Sequence, residues 1–283
     1  DIMGREQILE VHAKNKPLAA DVDLKVLAKR TPGFTGADLK NLLNEAALLA
    51  ARNNQEQIVM QNIDDAIDKI VAGAEKKSRI ITDEEKEITA YHEVGHALLH
   101  YFTDNSDPLH KVSIIPRGNA LGVTWSLPEH DKSLYKYSDL KDRIITALGG
   151  RIAEELIYDG QITSGATADI KQATDIARKM VTVYGMSAKM GTVAYGKSGE
   201  NVFMGRDFGQ TKNYSEETAR EIDDEVRAII EDCYNYGKKA LGDNVDLIKA
   251  VTAELLERET LEEKEVSEII ERVREARNEN KEC

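Results

Sequence analysis

His92, Glu93 and His96 stand in the order His-Glu-Val-Gly-His, inside a stretch whose pattern predicts a helix. Residues four apart on a helix share one face, roughly 40° apart around the axis. Two imidazoles placed this way can share one zinc ion, and the Glu between them can reach a water that the metal holds. Zinc lowers the pKa of such a water to about 7, so a carboxylate can take its proton at neutral pH. The hydroxide then attacks a carbonyl, and Glu93 returns the proton to the leaving amine. The spacing therefore implies metal-assisted hydrolysis. Gly95, in the same helix, costs about 1 kcal/mol relative to Ala. A glycine there implies close packing against another backbone, expected to be a strand at the floor of the site.

A catalytic zinc takes a third protein ligand and keeps one position open. The extended metzincin pattern needs a Gly and then a His where this chain has Leu99 and Phe102, which excludes that class. His100 is roughly 80° around the helix from His92, so it is expected near the site or on the surface. His110 and His130 fall in polar stretches and read as solvated. Carboxylates are better candidates. Glu155-Leu-Ile-Tyr-Asp159 has the E-x-x-x-D look of gluzincins, with Glu154 beside it, and Asp169 opens a helix behind the small-residue loop Thr163-Ser-Gly-Ala-Thr167. Plainer readings exist for each. Asp169 would complement a helix dipole, and Glu154 and Glu155 would lie on a solvated face. Spacing leaves both Glu155 and Asp169 open as the third ligand.

The chain that must position these residues has 283 residues, enough for one large domain or two ordinary ones. Hydrophobic residues make up 41% and charged residues 31%, which sets aside disorder and fibrous classes. Cys233 and Cys283 are too few and too far apart for a disulfide framework or a Cys-type zinc site. A net charge of -13 with no basic patch argues against nucleic acid as a partner. No run approaches the roughly 18 apolar residues of a membrane span. The chain starts at Asp1, straight into helical sequence, and reads as part of something longer.

Apolar spacing predicts helices over Gly4–Lys14, Val22–Arg30 and Ala37–Arg52, and a fourth through Ile63, Ala66, Ile67 and Ile70, together a small bundle. The charged segment 75–87 reads equally well as a domain boundary and as an ordinary solvated turn. Within it, Thr82 and Glu85 form a capping box that opens the helix carrying His92, which is expected to run to about Phe102. Alternation at Val112 and Ile114, then Val123 and Trp125, predicts a strand pair around the turn Arg117-Gly118-Asn119. A helix is predicted over Ser138–Tyr158 and another over Ala168–Val183. A Gly-rich irregular region follows over Gly185–Gly209, then three closing helices, the last opened by a second capping box at Thr260 and Glu263.

Together these segments resemble the C-terminal part of the FtsH family of membrane-anchored, ATP-dependent zinc proteases. The resemblance is carried by Thr89-Ala-Tyr-His-Glu-Val-Gly-His96, Lys111-Val-Ser-Ile-Ile-Pro-Arg-Gly118, Ala120-Leu-Gly-Val-Thr124, Gly149-Gly-Arg-Ile-Ala-Glu-Glu155 and Thr163-Ser-Gly-Ala-Thr-Ala-Asp-Ile-Lys-Gln-Ala-Thr174. Val94 departs from the family's usual Ala. The resemblance implies a mainly α fold: a helical AAA lid subdomain over 1–73, a linker over 74–82, and over 83–283 a mostly helical zinc peptidase domain with a short β-hairpin or small sheet. It implies one Zn2+ per subunit, held by His92, His96 and Asp169, with Glu93 catalytic and Glu154 and Glu155 supporting or structural. In the first block, Gly4-Arg-Glu-Gln-Ile-Leu-Glu-Val-His12 and Thr31-Pro-Gly-Phe-Thr-Gly-Ala-Asp-Leu39 resemble AAA lids. By that resemblance Ile8, His12, Gly36 and Ala37 flank ATP or ADP with Mg2+, although the phosphate-binding G-x-x-x-x-G-K-[ST] loop is not among these residues. Val123 and Thr124 are expected along the backbone of an extended substrate. The family implies a homo-hexameric ring acting on unfolded or tagged polypeptides. It also implies an N-terminal membrane anchor, with the catalytic part facing the cytoplasm at a bacterial inner membrane.

Overall fold

The computed structural model describes residues 1–71, 73, 81–118, 120–128, 132, 134–195 and 214–282, with side chains as far as 279. Four helices form the first unit. α1 (Ile2–Ala13) begins ahead of Gly4 because the Asp1 carboxylate accepts from Gly4 N at 2.6 Å. α2 (Leu24–Arg30) is shorter than expected. The Asp23 carboxylate accepts from Lys25 N and Val26 N, at 2.8 and 3.2 Å, and so caps it there. α3 (Gly36–Arg52) is opened by a capping box between Thr35 and Asp38, and α4 (Met60–Val71) closes the unit. Leu9, Leu27, Leu39, Leu42, Leu43 and Ile63 are fully buried between them, whereas Val11, an apolar residue of α1, is exposed.

The second unit is built around α5 (Asp83–Phe102). The expected capping box opens it: Glu85 N donates to Thr82 Oγ1 and Thr82 N to Glu85 Oε2, each at 3.1 Å. Ala90, Val94, Ala97, Leu98 and Leu99 of α5 are all buried in a second core. β1 (Leu109–Ser113) pairs antiparallel with β2 (Val123–Ser126), with Val112 opposite Thr124. The connecting turn places Gly118 at a φ of 55°, while Asn119 lies outside the described residues. A third strand, β3 (Thr260–Glu262), joins the other edge of β1, giving the order β2-β1-β3.

That strand corrects the expected capping box at Thr260 and Glu263. Thr260 pairs with Ser113 across β1, their hydroxyls 2.7 Å apart, and the next residue, Leu261, is fully buried. The closing helix α11 (Glu263–Glu282) instead uses Glu265, which accepts from Glu262 N at 2.9 Å. The helix expected over Ser138–Tyr158 is also corrected. It divides at Leu148 into α6 (Tyr137–Ala147) and α7 (Gly149–Ile157), so that Gly149 and Gly150 can sit directly on α5. α8 (Thr167–Thr182), α9 (Glu216–Gly242) and α10 (Val245–Arg258) complete the unit. Residues 185–195 are irregular, as expected. The rest of the predicted Gly-rich region, and most of the charged segment before α5, lie outside the described residues.

The two units meet where α4 faces the sheet. Asp68 on α4 is buried, pairs with Lys111 on β1 and lies 3.2 Å from Arg117 Nη2. Trp125 on β2 packs against the core of the first unit. His110 was expected in a solvated loop. It lies instead on β1, its ring 6.4 Å from that of Trp125, and burial lowers its pKa. His130 lies outside the described residues. Among those residues, no helix is long and apolar enough to cross a membrane.

Candidate metal centre

One turn of α5 sets His92 and His96 over each other, and α8 brings Asp169 to them from 77 residues away. His92 Nε2 lies 3.1 Å from His96 Nε2 and 3.2 Å from Asp169 Oδ2, and His96 Nε2 lies 3.7 Å from the same oxygen. Ligands about 2.0 Å from a tetrahedral zinc stand about 3.3 Å from one another. The three donor atoms therefore fit around one such ion without rearrangement. Among the described residues, these three form the group of His, Cys, Asp and Glu side chains that could hold a metal.

The outer nitrogens of both imidazoles are engaged. His92 Nδ1 lies 2.7 Å from Glu154 Oε1, and His96 Nδ1 lies 2.7 Å from the Thr146 carbonyl. A backbone carbonyl only accepts, so His96 carries its proton on Nδ1 and turns Nε2 toward the centre. Glu154 has a side chain only 1% exposed and also accepts from Thr163 N at 2.8 Å. It is thus not on a solvated face: it ties α5, α7 and the small-residue loop together. Glu155 turns the other way, toward Tyr234 and Lys238 on α9. Of the carboxylates left open by spacing, Asp169 is the one that faces the imidazoles.

Charge ties His92, Asp169 and Glu154 together. Burial opposes a charge on His92, but hydrogen bonds with Asp169 and Glu154 lift its pKa to about 10. Burial likewise opposes charge on Asp169 and Glu154, yet contact with the imidazoles holds both carboxyls below their usual values. Glu93 is different. Burial raises its carboxyl pKa, against the pull of His96, His92 and Thr124.

Close glycine contacts make this arrangement possible. A Cβ at Gly95 would lie 2.3 Å from the Gly149 carbonyl oxygen, and one at Gly150 would lie 2.4 Å from His92 Cε1. The close approach expected at Gly95 exists, but against helix α7 rather than a strand. The strand instead covers Glu93. A Cβ at Gly122 would lie 2.7 Å from Glu93 Cγ, and the Thr124 hydroxyl lies 2.7 Å from Glu93 Oε2. Val123 and Thr124 are half-buried on β2, an outer strand of the sheet. The contact from Thr124 to Glu93 was invisible in sequence, since a threonine in an alternating strand carries no signal of its side-chain partner. His100 is half-buried, its Nδ1 2.9 Å from the Asp107 carbonyl, so it braces the turn after α5.

In the first unit, Ile8 on α1 sits against Gly36 at the start of α3: a Cβ on that glycine would lie 3.8 Å from Ile8 Cδ1. His12 is one helical turn farther along α1 and half-exposed, and Ala37 is exposed.

Residues 79–269 match Peptidase family M41, and residues 21–65 match the AAA+ lid domain. The chain is 51% identical over 269 residues to the ATP-dependent zinc metalloprotease FtsH 1 of Thermoanaerobacter sp. (strain X514), covering 95% of this chain and 44% of that one. It is 52% identical over 271 residues to FtsH of Acidobacterium capsulatum, covering 96% and 42%. It is 48% identical over 271 residues to FtsH of Thermotoga maritima, covering 95% and 44%. The chain thus spans less than half the length of these curated relatives. With the match covering the helix that carries His92 and His96 and the sheet and helices packed around it, the chain belongs to peptidase family M41.

Proposed function

We propose that residues 83–283 form a zinc-dependent endopeptidase, and that 1–73 form the lid of a AAA ATPase joined to it through 74–82. The observation that carries the reading is the triangle of His92 Nε2, His96 Nε2 and Asp169 Oδ2, 3.1–3.7 Å on a side, with Glu93 on the same helix. His92, His96 and Asp169 would hold one Zn2+, which when bound acidifies water and polarises a carbonyl. Glu93 takes the proton of the attacking water and delivers it to the leaving amine. Its raised pKa suits a group that must both accept and release a proton. Glu154 and the Thr146 carbonyl fix the two imidazoles. Val123 and Thr124, on an outer strand, receive an extended peptide by strand addition.

In the whole protein, Ile8, His12, Gly36 and Ala37 form the lid side of a site for ATP or ADP with Mg2+. Six copies form a ring that draws in unfolded, tagged or membrane polypeptides, anchored to a bacterial inner membrane with this part facing the cytoplasm. These readings rest on the FtsH resemblance.

The test is cleavage of unfolded casein without nucleotide by this chain and by Glu93→Gln, with zinc assayed in both. Cleavage by the first, and none by the zinc-loaded variant, is the expected result. If the variant cleaves equally, Glu93 is not the base. If neither cleaves with zinc bound, the full-length protein with ATP decides between a delivery requirement and a non-catalytic ring module.

A further inference from the structure

Glu93 is gripped from outside its own helix. Thr124 Oγ1 lies 2.7 Å from Glu93 Oε2 and 2.9 Å from the Glu93 carbonyl oxygen. On the other side, a Cβ at Gly122 would lie 2.7 Å from Glu93 Cγ and 2.8 Å from Oε1, so only a glycine allows the side chain to occupy this place. Glu93 is 8% exposed. A long side chain that stays free loses rotamer entropy each time it must be aimed, and a hydrogen bond to a charged oxygen is among the stronger ones available to hold it.

The geometry points to Thr124 as a positioning residue for the peptidase reaction: its hydroxyl fixes Glu93 Oε2, which assigns Oε1 to proton transfer. The inference rests on the peptidase reading above. Thr124 also lies on the outer strand proposed to receive the peptide. The strand that would hold the scissile bond in place is therefore the one that aims the base at it. A purely structural role would give a different picture. The hydroxyl would then matter only as a peg between β2 and α5, through the Glu93 carbonyl.

The experiment compares this chain with Thr124→Val, which keeps the shape and strand preference but loses the hydroxyl, and Thr124→Ser, which keeps the hydroxyl. With zinc content matched, cleavage of an unstructured fluorogenic peptide is followed. Thr124→Val is expected to lose roughly 10- to 100-fold in kcat, with KM within about twofold of the parent. Thr124→Ser is expected to retain most of the activity. Crystal structures of the variants supply a readout free of catalysis: the Glu93 carboxylate leaves its place in Thr124→Val and keeps it in Thr124→Ser. An unchanged kcat in Thr124→Val, equal damage in both variants, or a Glu93 carboxylate that does not move would each overturn the inference. If the parent chain is itself inactive with zinc bound, the peptidase reading of the isolated chain fails, and the crystal structures still decide the role of Thr124.

Discussion

Gly95→Ala sets two effects of opposite sign against each other. By helix propensity alone, alanine would stabilise α5 by about 1 kcal/mol. Packing argues the reverse. The new Cβ would lie 2.3 Å from the Gly149 carbonyl oxygen, 2.6 Å from Ala153 Cβ and 2.8 Å from the Gly149 carbonyl carbon. Such atoms pack at about 3.5 Å, so α5 and α7 must part by about 1 Å. Two of the three obstructing atoms are backbone, and no flexible side-chain end is available to give way. Overpacking costs about 1–3 kcal/mol, and backbone displacement places this case at the upper end. Net of propensity, the loss is about 2 kcal/mol, or roughly 4–8 °C in the thermal midpoint of a unit this size. The same shift moves Glu154 and Gly150 away from His92, so zinc affinity falls about 10-fold or more. Thermal unfolding of the chelator-treated chain and a zinc competition titration measure the two effects. A variant that melts at or above the parent temperature and holds zinc as tightly would refute the α5–α7 contact as the limiting one.

Two further outcomes follow from the centre. Glu154→Ala removes the partner of both His92 Nδ1 and Thr163 N, and zinc affinity is expected to fall about 10- to 100-fold in a chelator competition, with helix content preserved. The pH dependence has two sides. His92 has a folded pKa raised to about 10, so in the metal-free chain its contribution is complete below the unfolded value of about 6.5 and is lost as pH rises toward 10. Asp169 has a lowered folded pKa, so its contribution is present above the unfolded carboxylate value and is lost as pH falls through the folded one. Because zinc must displace the His92 proton, its affinity is expected to rise with pH, up to about tenfold per unit between pH 6 and 8. Zinc affinity independent of pH across that range, together with a metal-free melting temperature that does not fall at alkaline pH, would sink this account.

Local chemistry was legible wherever it depended on neighbours along one helix. His92 and His96 share a face because four residues make about one turn, whatever surrounds them. The Thr82–Glu85 capping box and the leucines of α3 are equally local, and both hold in the structure. Propensity was a poorer guide at Thr260, whose partner Ser113 lies 147 residues earlier. It was also poorer at Leu148, where an apparently continuous helix divides because two glycines must meet α5.

The sequence by itself determined that two imidazoles and a carboxylate would sit on one helical turn, and so which chemistry was possible. Only the tertiary structure decided which distant carboxylate faces them. Glu154, Glu155 and Asp169 are the same kind of group at comparable distances along the chain. Glu154 reaches the outer nitrogen of His92, Glu155 reaches α9, and Asp169 reaches the inner nitrogens of both imidazoles. That division is set by how closely α7 and α8 approach α5. The approach of α7 depends on Gly95, Gly149 and Gly150, whose lack of a side chain has a meaning only once the opposing helix is in place.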